Sequence, residues 1–89
     1  MATVRFTPNL QRHLDVPDCE VRADTLGAAL EQVFTLNPRL RSYVLDDQGR
    51  VRRHVMMFID AEPITDRQHL SDLLASDAEV YVVQALSGG

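Results

Sequence analysis

Glu79-Val80-Tyr81-Val82-Val83-Gln84-Ala85-Leu86-Ser87-Gly88-Gly89 is the stretch whose reading organises the chain. Its first half is β-branched and aromatic, the composition of a strand. The unbroken apolar run Val80 to Val83 predicts that this strand is central and buried on both faces. No turn separates it from the two glycines. Lacking a Cβ, Gly88 and Gly89 can take backbone angles closed to other residues and pass through a channel only as wide as the main chain. At about 3.3 Å per extended residue, Ala85 to Gly89 reach roughly 15 Å. The expectation is a rigid mount holding out a slender tail, whose carboxylate, ionised at neutral pH, can enter a partner's active site.

Working outward, Val51 to Asp60 reads as extended, with Val55, Met57 and Ile59 on one side and Met56 and Phe58 on the other. Both sides are apolar. In a sheet covered by a single helix, one of them faces solvent and offers a patch to a partner, unless a loop or the ambiguous segment Leu10 to Pro17 covers it. Ile64 to Ala75 reads as loosely helical with Leu70, Leu73 and Leu74 inward. Ser42-Tyr43-Val44-Leu45 reads as a short strand, and Asp46-Asp47-Gln48-Gly49 as a turn that wants positive φ at its glycine.

Further upstream, Asp24 or Thr25 can cap a helix in which Leu26, Leu30, Val33 and Phe34 form one apolar stripe. Pro38 disfavours helical geometry at Asn37 and ends it. Thr3-Val4-Arg5-Phe6 alternates as a first strand and leads to a Thr7-Pro8-Asn9 turn. Cys19 to Ala23 alternates as a second strand, antiparallel to the first.

Composition narrows the functional classes. The chain has 89 residues, 45% hydrophobic and 25% charged, which suits one small domain with a modest core and leaves no room for a cofactor domain beside a substrate domain. No apolar run approaches the ~20 residues of a membrane span. Met1 to Leu10 lacks the layout of a signal peptide, so a cytoplasmic location is expected. Cys19 is the one cysteine, which fits a reducing compartment. Its plainer reading is a small strand hydrophobe, its sharper one a sulfur relay.

His13, His54 and His69 show no ligand spacing, and no metal site is expected. A net charge of −4 without clustered basic and aromatic residues argues against nucleic acid. All nine basic residues are arginine. The absence of lysine leaves the α-amino group as the chain's one primary amine, and no isopeptide chain can form through internal lysines. A genome-wide bias toward arginine is the bland alternative.

Three stretches carry a resemblance: Ala85-Leu86-Ser87-Gly88-Gly89, Thr25-Leu26-Gly27-Ala28-Ala29-Leu30, and Gly49 to Ile59. Together they resemble the ubiquitin-like sulfur carriers of the ThiS/MoaD type, which include the small subunit of molybdopterin synthase and the carriers for thiazole and cysteine synthesis. The likeness covers nearly the whole chain. It implies an α+β, β-grasp fold with a mixed sheet of about four to five strands, one main helix and a short second helical turn. The first and last strands of that fold lie side by side and parallel. A single domain over 1–86 is expected, followed by the flexible tail 87–89.

The resemblance also implies a cycle in which the chain is substrate and carrier, not enzyme. A ubiquitin-activating-like adenylyltransferase adenylates the Gly89 carboxylate with ATP, and the chain binds no cofactor itself. A persulfide or sulfide donor converts the adenylate to a thiocarboxylate, which a recipient synthase uses. Gly89 then carries the sulfur, Gly88 gives access, and Leu86 and Ser87 fix the register of the tail. Phe58, Arg52 and Arg53, with Arg50, are docking candidates. The plainer reading of the arginines is a solvated face that discourages edge pairing.

The chain departs from the family pattern at Asp60-Ala61, where Asn-Gly is common, at Ser76-Asp77, where Gly-Asp is common, and at Gln84, often proline. The length of Arg39 to Arg53 favours molybdopterin or cysteine carriers over thiazole ones. Two other classes stay open: a protein modifier joined through Gly89 to target lysines, and a non-covalent β-grasp interaction module.

Overall fold

The computed structural model describes residues 1–6 and 18–84; the Thr7-Pro8-Asn9 turn, the Leu10 to Pro17 segment and the tail lie outside the described residues. Five strands, β1 (Ala2–Phe6), β2 (Cys19–Val21), β3 (Val55–Ile59), β4 (Glu62–Pro63) and β5 (Glu79–Gln84), form one mixed sheet in the order β2-β1-β5-β3-β4. β5 is central, parallel to β1 and antiparallel to β3. The parallel β1–β5 pair is the feature the β-grasp expectation requires. Helices α1 (Leu26–Leu36) and α2 (Arg39–Val44) complete it as an α+β fold.

Period-two alternation decides the core. Ala2, Val4 and Phe6 of β1, Val55 and Met57 of β3, and Val80 and Val82 of β5 are buried, together with Leu26, Ala29, Leu30, Val33 and Phe34 of α1. The helix begins where Thr25 accepts the Ala28 N–H at 3.2 Å, a side-chain cap of the expected kind. It ends where Asn37, before Pro38, swings to φ −143° while its N–H still closes on the Val33 carbonyl.

Four expectations are corrected. Ser42 to Leu45 is not a strand: Ser42, Tyr43 and Val44 belong to α2, whose Leu40 and Val44 are buried. Pro38 is itself αR, at φ −60° and ψ −24°, so it opens one helix as it closes another. Leu40 and Val44 then fall one turn apart on the same face. Leu45 alone pairs, in one bridge to Val51 across the turn where Gly49 takes φ 80°.

Ile64 to Ala75 is not helical. Asp66 accepts the N–H groups of Gln68, His69 and Ser71, and Asp72 those of Thr65 and Asp66. These carboxylates supply the backbone with partners a helix would otherwise provide, and Leu70 sits at φ 56°. Leu70 and Leu74 are buried as expected, but Leu73 is 79% exposed. The short second helix of the fold is thus α2.

The third and fourth corrections concern the sheet. The extended stretch starts at Val55, not Val51, because the chain turns at Arg52 to His54 with the Val55 N–H on the Arg52 carbonyl. β5 is central yet not covered on both faces, since Tyr81 is 39% exposed. At Asp60-Ala61, glycine is absent but its geometry is kept: φ is 50° and 71°, the mirror-type turn that suits a two-residue hairpin. The Asp60 carboxylate accepts the Glu79 N–H at 3.0 Å and holds it there. Ser76-Asp77 forms a turn without positive φ.

The 64–75 segment also completes the start of α1. Leu26 N–H donates to the Asp72 carbonyl and Gly27 N–H to that of Leu70, both at 2.9 Å, satisfying donors the helix leaves orphaned. A Cβ on Gly27 would lie 3.2 Å from the same Leu70 oxygen. Gly27→Val is expected to cost about 1–3 kcal/mol by overpacking, measured by urea unfolding. Gly27→Ala should cost less, because alanine regains about 1 kcal/mol of helix propensity.

A second expected outcome concerns acid. The Ser71 hydroxyl first, then the His69 N–H, lower the Asp66 pKa to about 2. A depressed folded pKa contributes stability above the unfolded value, near about 3.9, that is lost as pH falls through the folded one. The urea midpoint should therefore drop between about pH 4 and pH 2, and Asp66→Asn should flatten that drop.

Candidate functional site

Among the described residues, β1 pairs with β5 as far as Phe6 opposite Val82, and β3 pairs with it as far as Met56 opposite Val83 and Val55 opposite Gln84. The end of β5 thus lies against the start of β3, just after the Arg52 to His54 turn. Leu86, Ser87, Gly88 and Gly89, the tail residues singled out from sequence, lie outside the described residues.

α1 packs against β1 and β2, α2 packs against α1, and the side chains on the opposite face of the sheet are exposed or half-buried. Pairing places Arg5, Tyr81, Phe58 and Pro63 in one row across four strands, with Met56 and Val83 in the next. Tyr81 and Met56 are exposed at 39% and 42%, while Phe58 and Val83 are half-buried. The Arg5 guanidinium carbon lies 5.9 Å from the centroid of the Tyr81 ring, and its Nη2 is 3.4 Å from Glu79. An aromatic and thioether surface of this kind, carrying a cation on its margin, matches the make-up of interface centres. Phe58, a docking candidate from sequence, sits in the middle of it.

Arg50, Arg52 and Arg53 do not join that row. They line a groove of about 500 Å³ with Asp46, Val51, His54, Arg67 and Gln68, at the end of the sheet where Val55 pairs with Gln84. Arg50 is paired with Asp46 at 3.3 Å, and the Arg50 N–H, more than any other contact, lowers the Asp46 pKa. Arg52 Nε donates to the Ser42 carbonyl at 2.7 Å. Arg67 was not anticipated. Its Nη2 donates to the carbonyls of Arg52 and Val55, both at 2.8 Å, and its Nη1 approaches Met56 Sδ at 3.8 Å. One guanidinium thus ties the basic turn to the edge of the open face.

Met56 lies on one of the two strand sides that the sequence offered as a patch; Tyr81 and Val83 were missed as site residues, although period-two alternation against Val80 and Val82 assigns them to the opposite face. No sequence signal marks Arg67. Cys19 is half-buried on β2. Burial first, then Asp18, pushes its thiol pKa up, so little thiolate is present at neutral pH and the plainer reading of this residue is favoured. Among the described residues, no helix is long and apolar enough to cross a membrane.

No family model matches the sequence, and no curated protein does. Solved structures do. SAMP1 from Haloferax volcanii superposes with a TM-score of 0.79 at 23% identity, over 99% of this chain and 98% of that one. CysO from Mycobacterium tuberculosis gives 0.81 at 20% identity, over 97% and 100%. The Amycolatopsis orientalis BexX/CysO complex contributes a match of 0.84 at 14% identity, over the full length of both chains. At such identities the likeness is one of fold, and the chain has the β-grasp fold of these ubiquitin-like proteins.

Proposed function

We propose that the chain is a cytoplasmic sulfur carrier of the ThiS/MoaD type, working through Gly89 as the terminal residue. The observation that carries this reading is Ser87-Gly88-Gly89 standing two residues beyond the central strand, Glu79–Gln84, of a β-grasp fold. A carboxylate is a poor electrophile. A ubiquitin-activating-like enzyme remedies this when the carboxylate oxygen attacks the α-phosphorus of ATP and pyrophosphate leaves. Sulfide then attacks the acyl carbon, AMP departs, and a thiocarboxylate remains. With a persulfide, the acyl disulfide formed first is cleaved by a second thiol, which leaves as a disulfide.

The carrier supplies no general base. Its parts are the tail that enters the enzyme, the open face that docks, and the fold that fixes one relative to the other. The recipient is a synthase of a molybdopterin-type or cysteine-type pathway. The test is incubation with ATP, the activating enzyme and a sulfur source, followed by intact mass measurement. A product with one oxygen replaced by sulfur is expected, and unchanged mass sinks the reading.

A second reading has its own support, because a similar solved structure bears the name small archaeal modifier protein 1. As a modifier, the activated Gly89 would acylate lysines of other proteins. A ladder of conjugates on electrophoresis of whole-cell protein, lost with Gly89, distinguishes it.

A further inference from the structure

We propose that the enzyme surface receiving the tail is acidic where it meets the groove lined by Arg50, Arg52, Arg53, His54 and Arg67, and that this charge contact governs how tightly the carrier docks. The inference rests on the carrier reading for its partner, and on geometry for its content. Val55 stands opposite Gln84, so whatever surrounds the departing tail also covers the turn that precedes Val55.

That turn gathers positive charge on a chain of net charge −4. The groove contains one carboxylate, Asp46, already paired with Arg50. Among the described residues no carboxylate lies within ion-pair distance of Arg52, Arg53 or Arg67. The hydrogen bonds of Arg52 and Arg67 run to backbone carbonyls and, for Arg67, to the Met56 thioether, which orient a guanidinium and leave its charge uncompensated. Here an acidic partner meets three cations that no described carboxylate pairs.

A protein surface suits the groove better than a small oxyanion does. Oxyanion sites gather several N–H donors on one ligand. Arg52 commits Nε to Ser42, and Arg67 commits Nη2 to two carbonyls, while Arg50, Arg52, Arg53 and His54 are exposed along an open surface. The charge there is spread along that surface, not gathered on one point.

The test uses the full chain and the adenylyltransferase encoded in the same genome, reading kcat and KM of ATP–pyrophosphate exchange at low and high salt. Arg53 is the residue to change, since it is exposed and, among the described residues, makes no hydrogen bond or ion pair, so its variants should fold. Arg53→Glu is expected to raise KM about tenfold or more at low salt, an effect that shrinks at high salt as charges are screened. Arg53→Lys should stay near the unaltered chain.

A KM indifferent to both salt and Arg53→Glu overturns the proposal while leaving the carrier reading intact. Absence of any exchange with the unaltered chain overturns the carrier reading instead. A chain lacking Gly88 and Gly89 should still inhibit competitively and in a salt-dependent way; salt-independent inhibition counts against the groove. Inorganic phosphate that, at submillimolar concentration, shifts the amide resonances of Arg52 to His54 would make the groove a small-anion site and also overturn the proposal.

Discussion

Removal of Gly88 and Gly89 is expected to abolish sulfur acceptance outright, with no mass gain at any enzyme concentration and with the urea unfolding curve unchanged. On the proposed carrier reading the reacting carboxyl group is that of Gly89, and no other residue substitutes for it. Gly88→Val keeps that carboxyl group and separates chemistry from access. A branched Cβ widens a segment meant to thread a narrow channel and excludes glycine-only backbone angles. The acyl group is then displaced from the α-phosphate, and a misplacement of about 1 Å costs on the order of a hundredfold in rate. Single-turnover adenylation of Gly88→Val should fall by at least that factor. A rate within a few-fold of the unaltered chain would show that the tail does not thread.

Tyr81→Ala should weaken binding of the activating enzyme by about 2 kcal/mol or more, on the order of thirtyfold in affinity, as expected for an aromatic anchor near an interface centre. Tyr81 stands between Arg5 and Phe58 in the open row, so its loss removes contact area and the ring beneath the Arg5 cation together. Folding should suffer less. The side chain is already 39% exposed, and the cation–π contact contributes about 0.5–1 kcal/mol at such sites. Calorimetric titration and urea unfolding, run on the same variant, separate the two effects. Leu73→Ser is the control: Leu73 is more exposed than Tyr81 and lies outside the open row, so affinity should not change. Equal losses from both variants would mean that general surface hydrophobicity, not this face, drives association.

Much of the architecture was written in local chemistry. Thr25 caps α1 because its hydroxyl is one turn from an orphan N–H, and Leu26, Leu30, Val33 and Phe34 declare their face by spacing alone. β1 and β5 follow from alternation and branching. What escaped the sequence lay in relations between distant residues. Pro38 was read as a stop, and nothing local says that it also starts α2. Leu73 shares the apolar character of Leu70 and Leu74, yet the network around Asp66 and Asp72 breaks the helical spacing that would have turned it inward.

The site was legible in part. Phe58 and the arginines near the turn were found by type, but they proved to occupy two surfaces, an apolar sheet face and a basic groove. Tyr81 was hidden by its neighbours, because an unbroken apolar run does not reveal which face the helices leave bare. Arg67 was invisible because its role is to donate to carbonyls of Arg52 and Val55, residues separated from it in sequence.

The parallel pairing of Thr3 with Glu79 and of Phe6 with Val82 has a consequence for synthesis. The middle of the sheet joins segments translated almost at opposite times, so the loop between them must be made before either can gain from the other. β1 can pair with β2 early, but its other edge stays unpaired until β5 has been made, so the sheet closes late. A nascent chain stopped short of β5 would have no platform from which to present anything.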